Sequence, residues 1–174
     1  MKKYIFIVII CFISVFNVHE IVAKTTYHSK GYHANIMVTN HFFVFMGAET
    51  SHGYMFDNHN YLGVGIGGYF LPMASMPMFA NTFIDYHNYV KDKKNTLVLG
   101  IKLGHSLALN YMSDYGTKYK NAILLEPNIG WNWQFRRGGA LYLYCGVSTL
   151  FIVGESRTSK KYIPLPKLGV GFEF

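Results

Sequence analysis

The chain has 174 residues, of which 51% are hydrophobic, 17% aromatic and only 14% charged, with a formal net charge of +7. An average soluble domain carries about 25% charged residues, so this composition argues against an ordinary cytosolic globule. The hydrophobic content excludes a disordered chain, and two cysteines are too few for a disulfide scaffold or a thiolate zinc site.

The first 23 residues have the pattern of a secretory signal peptide. Lys2 and Lys3 precede an apolar stretch over 4–16, and Ala23 is a small residue at a cleavage position. About 13 apolar residues are too few to span a bilayer as a helix. The sequence therefore predicts a signal peptide over 1–23 and one exported domain over 24–174.

The exported part stays basic. Without Lys2, Lys3 and Glu20 it has 14 basic and 8 acidic residues, a balance of +6. The lysines cluster in predicted connections, which favours a solvated surface or anionic lipid headgroups over a nucleic-acid partner.

Apolar residues then alternate with small or polar ones along eight segments. Successive side chains of a strand face opposite sides, so this period of two predicts β-strands rather than helices. The segments are 31–39, 43–56, 61–71, 78–88, 95–109, 122–136, 139–153 and 167–174. No stretch after residue 23 reaches 18 consecutive apolar residues, which excludes a transmembrane helix.

The connections tend to alternate between tight turns and longer segments. Tight turns rich in turn formers are predicted at 57–60 and 136–139. Exposed loops are predicted near 72–77, 110–121 and 154–162. The short first hairpin near Asn40 and the rather long basic connection over 89–95 break this alternation.

The composition of the two strand faces indicates a membrane barrel. One face is large, apolar and almost free of charge, as lipid contact requires. The other is mostly glycine with isolated polar residues, which suits a narrow interior. In hydrocarbon a β-structure can pair all of its backbone groups only by closing. We therefore predict an all-β fold, an eight-stranded antiparallel up-and-down transmembrane β-barrel, with both termini on the periplasmic side.

Aromatic and proline residues refine this prediction. Pro127 falls inside the sixth strand, where a bulge is expected because proline lacks a backbone donor. Pro72, Pro77, Pro164 and Pro166 are predicted at strand ends or in loops. The candidates for interfacial girdles are Tyr54, Phe56, Tyr61, Phe70, Tyr86, Trp131, Trp133, Phe135, Tyr142 and Tyr144.

The chain resembles the small outer-membrane β-barrel proteins of bacteria over residues 30–174. The terminal run Leu168, Val170, Phe172 and Phe174 is similar to the C-terminal signal by which the barrel-assembly machinery recognises such proteins. The run 51–56 followed by 62–67, and later 78–81, also looks like segments of this group. The resemblance implies an outer-membrane location and lipid and assembly-machinery partners. It implies no activity, because members range from anchors and adhesins to small enzymes.

The predicted interior carries seven charged residues. They are four acids and three bases, and buried charges persist only when they are paired. The expected role is a structural network that plugs the barrel, and a proton or ion path is the alternative. Eight strands leave room only for side chains, so no open pore is expected. The seven are Glu49, Asp85, Lys102, Glu126, Arg136, Lys167 and Glu173.

No catalytic, cofactor or metal site is predicted. His105 and Ser106 are adjacent and so face opposite sides of a strand. The histidine spacings contain no ligand motif, and the glycine run over 63–68 lies inside a strand rather than before a helix. The predicted function is a structural or surface-interaction role, with loops that could contact a surface ligand. A small lipid-modifying enzyme and a soluble periplasmic binding barrel remain the alternatives.

Overall fold

The computed structural model describes residues 27–41, 45–71, 76–109, 119–135, 139–156 and 161–174. Eight antiparallel strands follow in chain order, and each pairs with the next. β1 also pairs with β8, which closes the barrel and confirms the predicted fold class. The strands are β1 (Gly31–His41), β2 (Phe45–Met55), β3 (Asn60–Leu71), β4 (Met76–Tyr89), β5 (Asn95–Ala108), β6 (Tyr119–Gln134), β7 (Ala140–Ser156) and β8 (Tyr162–Glu173).

The two ends of the barrel differ in their connections. The ends of β2, β4, β6 and β8 lie together with the starts of β1, β3, β5 and β7 at one end of the barrel, called here the turn end. The opposite ends of the eight strands define the other end, called here the loop end. The predicted loops near 72–77, 110–121 and 154–162 lie largely outside the described residues, although their margins extend β4, β6, β7 and β8. In the described part of the chain no helix has the length and apolarity needed to cross a membrane.

The last strand starts earlier than the sequence predicted, at Tyr162 instead of Lys167, so Pro164 and Pro166 lie inside β8. β8 accommodates both prolines because their backbone nitrogens do not point at β7. The Ile152 N–H donates to the Lys161 carbonyl, so odd residues of β8 direct their N–H groups at β7. Even residues, including both prolines, face the β1 side, where the pairing with β1 starts only at Lys167. The missing donors therefore interrupt no pairing with β1.

The predicted bulge at Pro127 is wrong. The register between β6 and β7 is the same on both sides of Pro127, with Leu125 opposite Thr149 and Asn128 opposite Gly146. The irregularity in this ladder lies at the start of β6 instead, between Tyr119 and Asn121. Pro127 therefore leaves a local gap in the hydrogen bonds between β6 and β7, and β6 continues past it without a bulge.

The outer wall of the barrel is apolar. Away from the irregular start of β6, no Asp, Glu, Lys or Arg faces outward among the strand side chains that the structure describes. Exposed aliphatic and aromatic residues occur on every strand, and Val64 and Ile66 are among the most exposed, at 65% and 61%. This face is the reverse of a soluble binding barrel, which would show a polar exterior, so that alternative is wrong.

The girdle prediction is wrong for three of its residues. Tyr61, Tyr142 and Tyr144 are buried inside the barrel, because they share the inward parity of their strands. The exposed aromatic residues concentrate at the turn end, with fewer near the loop end. Those near the turn end are Tyr27, Tyr32, Tyr54, Phe56, Tyr86, Trp131, Phe135 and Phe172.

Candidate functional site: the sealed lumen

Four charged side chains meet in the middle of the lumen, and we call them the central ion cluster: Glu49, Lys102, Glu126 and Lys167. Lys167 Nζ lies 2.5 Å from Glu49 Oε1 and 2.8 Å from Glu126 Oε2. Lys102 Nζ lies 2.6 Å from Glu49 Oε2 and 3.8 Å from Glu126 Oε1. All four side chains are buried, and two carboxylates face two ammonium groups, so the cluster has no net charge.

Hydroxyl and aromatic groups complete the surroundings of the central ion cluster. Tyr69 donates a hydrogen bond to Glu49, and Ser148 donates one to Glu126. Lys102 Nζ lies 4.8 Å from the ring centre of Phe83 and 5.2 Å from that of Tyr144, distances suited to cation–π attraction. Every charged atom of the cluster therefore has a partner, which is the condition for burying charge.

Glycines on the inner wall make room for the rings beside this cluster. A Cβ on Gly169 would collide with the ring of Tyr144, and a Cβ on Gly47 would collide with the ring of Tyr69. The glycine-rich inner face thus lets large rings lie flat against the backbone. Charged groups and rings together fill the cross-section of the barrel.

The two other described acids of the predicted charge network, Asp85 and Glu173, lie toward the turn end, each beside a histidine. Asp85 Oδ1 lies 2.9 Å from His87 Nε2, and both residues are buried. Glu173 accepts hydrogen bonds from Tyr89 and Asn132 at 2.8 Å each, and its other oxygen lies 3.5 Å from His33 Nδ1. Arg136, the seventh predicted charge, lies outside the described residues.

The loop end of the lumen is apolar, a region we call the apolar cap. Its buried members come from five strands and lie above the central ion cluster. Four partly buried side chains pack against it, namely Phe45, Ile152, Ile163 and Leu165. The buried members are Tyr69, Phe79, Phe83, Ala108, Ala122, Leu124 and Leu150.

The segment before β1 closes the turn end. The backbone N–H groups of Tyr27 and His28 each donate to Asp92 Oδ1 at 3.0 Å, and Asn58 donates to Asp92 Oδ2 at 3.0 Å. The His28 ring is fully buried, 4.4 Å from the ring centre of Tyr89, and its Nδ1 lies 3.2 Å from Gln134 Nε2. Burial lowers the pKa of the His28 imidazole below its ordinary value of 6.5.

The structure separates His105 from Ser106, as the sequence indicated. His105 is exposed on the outer wall, while Ser106 is buried in the lumen. A different pair does meet: His41 Nε2 lies 3.2 Å from Ser148 Oγ, and both residues are buried. Within the described ranges, no three His, Cys, Asp or Glu side chains are grouped so that they could hold a metal ion.

Sequence reasoning missed most of the neutral partners of the buried charges. His33, His41, Tyr69, Tyr89, Tyr144 and Ser148 were not assigned to the network. The signal was available, because each shares the inward parity of its strand. The alternation along a strand predicts which side chains point into the lumen. It does not predict how far along the barrel axis a side chain lies or which residue it contacts across the barrel.

Comparisons with known proteins bear on the fold. No protein-family profile matches the chain, and no curated protein matches it in sequence. The crystal structure of the N-terminal β-barrel domain of Pseudomonas aeruginosa OprF is similar, with a TM-score of 0.59 at 15% identity, covering 84% of this chain and 100% of that one.

Two further structures show weaker likeness. Neisserial surface protein A has a TM-score of 0.48 at 16% identity over 82% of this chain and 92% of that chain. A de novo designed transmembrane β-barrel has a TM-score of 0.47 at 14% identity over 88% and 98%. The chain thus has the fold of the small eight-stranded barrels found in bacterial outer membranes.

Proposed function

We propose that the protein is an outer-membrane β-barrel with a structural or surface-interaction role and no open pore. The observation that carries the proposal is the central ion cluster, which fills the lumen at mid-height. The apolar cap above it and the docked His28 below it support the same conclusion, because three successive layers obstruct the path along the axis.

The outer wall supports the membrane location. Its apolar strands suit lipid contact, since a charge on this face would cost about 2–4 kcal/mol at mid-depth. The turn-end aromatic residues suit an interfacial girdle. Export by a signal peptide over 1–23 and recognition of Leu168, Val170, Phe172 and Phe174 by the barrel-assembly machinery belong to this proposal.

The lipid-modifying enzyme has no observation in its favour. The hydroxyl of Ser148 donates its proton to Glu126, so His41 Nε2 is the donor in the contact with Ser148 and cannot take that proton. The cavity beside this pair is about 20 Å³, which leaves no room for a lipid. The His41–Ser148 contact is therefore structural.

Two measurements test the proposed function. The purified protein in planar bilayers should give no discrete conductance steps, whereas stable openings would contradict a sealed lumen. Detergent extracts of outer membranes should contain a folded band whose gel mobility shifts on boiling. Recovery of the protein in the soluble periplasm would contradict the location independently of conductance.

A further inference from the structure

A small, partly open space lies inside the barrel, among residues of the apolar cap and beside Ser148. Its volume is about 20 Å³. Most of its lining is apolar, with Phe79, Leu124 and Leu150 among the walls. Four polar residues also line it, namely His41, Asn81, Ser106 and Ser148.

Two of these polar residues lack partners. Asn81 Oδ1 and Ser106 Oγ are buried and make no hydrogen bond to any protein group that the structure describes. They are direct neighbours across the β4–β5 ladder, and both line the same cavity. A buried polar atom without a partner is costly, so two such atoms around one cavity indicate a missing polar guest.

The size and the chemistry of the cavity identify the guest. A buried water needs about 10–15 Å³ and two to four polar partners. At about 20 Å³ the cavity meets the volume requirement for one water molecule. Asn81 Oδ1 can only accept a hydrogen bond, whereas Ser106 Oγ can donate or accept. A water molecule can donate to Asn81 and bond to Ser106 at the same time, which neither residue achieves with the other.

We propose that one ordered water molecule occupies this cavity and bridges Asn81 and Ser106. The water extends the hydrogen-bonded interior from Ser148 and the central ion cluster up to the floor of the apolar cap. Asn81 and Ser106 are therefore its ligands, and the cap above them stays dry.

The test uses the full-length mature protein, isotope-labelled and folded in detergent micelles. Water–protein cross-relaxation NMR should give a cross peak between water and the side-chain amide of Asn81, with the sign of a long-lived bound water. Absence of this peak, with the Asn81 signals assigned and the barrel folded, overturns the proposal.

Two substitutions at one position sharpen the test. Ser106→Val adds bulk to the cavity and removes the hydroxyl, so it should abolish the cross peak, while Ser106→Ala removes only one of the two ligands and should weaken the peak. Heat-modifiability on a gel shows whether each variant is folded. An undiminished peak in folded Ser106→Val overturns the site, and if that variant does not fold, the wild-type spectrum alone decides.

Discussion

Lys167 on β8 and Glu49 on β2 meet across the intervening strand β1, with Nζ 2.5 Å from Oε1 in the middle of the lumen. The contact joins residues 118 positions apart in the chain. β1 and β8 are the first and last strands, and their pairing closes the barrel. This ion pair therefore connects the two sides of that closure. The position predicts that Lys167 matters for stability more than the lysines on the surface do.

Lys167→Met should lower the free energy of unfolding by about 3–5 kcal/mol, because it leaves Glu49 and Glu126 with one ammonium group between them. Urea unfolding in lipid vesicles measures the change. Lys161→Met is the matched control, since Lys161 is exposed, and it should change stability by less than about 0.5 kcal/mol. Equal effects of the two substitutions would contradict the special position of Lys167.

Gly169→Ala should destabilise the barrel by about 1–3 kcal/mol, because the new Cβ would collide with the Tyr144 ring inside a filled lumen. Gly68→Ala provides the control, since the nearest heavy atom to a Cβ there is 4.0 Å away. The comparison requires only the midpoint and slope of the urea transition for each variant. A Gly169→Ala barrel as stable as the wild type would mean that the lumen is looser than the structure indicates.

The fold could be predicted from the sequence to a large extent because the signal is periodic. Leu168, Val170 and Phe172 alternate with glycine and charge, and this alternation assigns both the strand and its outward face. Strand ends were less predictable, as Pro164 and Pro166 show. Their tolerance depends on which neighbour each N–H faces, and that follows only from the register.

The site was predictable only as a list of charges. Glu49 and Lys167 share a face parity, but their contact depends on the stagger between strands, which no local pattern encodes. Asp85 and His87 were two apart on one strand and so on one face, which made their pairing the most accessible contact. The docking of His28 had no signal, because it lies before the first alternating segment.

Phe174→Ala should reduce assembly in cells while leaving folding in pure lipid vesicles almost unchanged, because it keeps the two backbone hydrogen bonds between residue 174 and Ala34. Our reason is the proposal that the terminal residues are a recognition signal for the barrel-assembly machinery, and Phe174 itself lies just past the end of β8. The measurement is the amount of heat-modifiable band in outer-membrane fractions. Phe70→Ala, an exposed aromatic residue on β3, serves as the control. Equal loss in cells and in vesicles would assign Phe174 to stability instead of recognition.

Docking of the segment before β1 should weaken as the pH falls through 6.5. Burial lowers the pKa of docked His28, so the undocked imidazole, with its ordinary pKa of 6.5, binds a proton first. Below the pKa of the docked imidazole the effect levels off. Hydrogen exchange of the Tyr27 and His28 amides, which donate to Asp92, reports the docking.

His28→Gln should remove this pH dependence between pH 7 and 5, and Asp92→Ala should accelerate exchange of both amides at every pH. The quantity to compare is the protection factor of the Tyr27 and His28 amides, which is the intrinsic exchange rate at each pH divided by the observed rate. If these protection factors in the wild type were independent of pH over this range, His28 would not control docking at the turn end.

The most direct test of the account is a measurement of which methyl groups contact the acyl chains of the lipid. With protonated acyl chains around a deuterated, methyl-labelled protein, the methyl groups of Leu168 and Val170 should give NOE cross peaks to lipid methylene protons, while those of Val98 and Leu124 should give none, since they are fully buried inside the barrel. Lipid cross peaks to Val98 and Leu124 but not to Leu168 and Val170 would contradict an apolar wall facing lipid around a filled lumen.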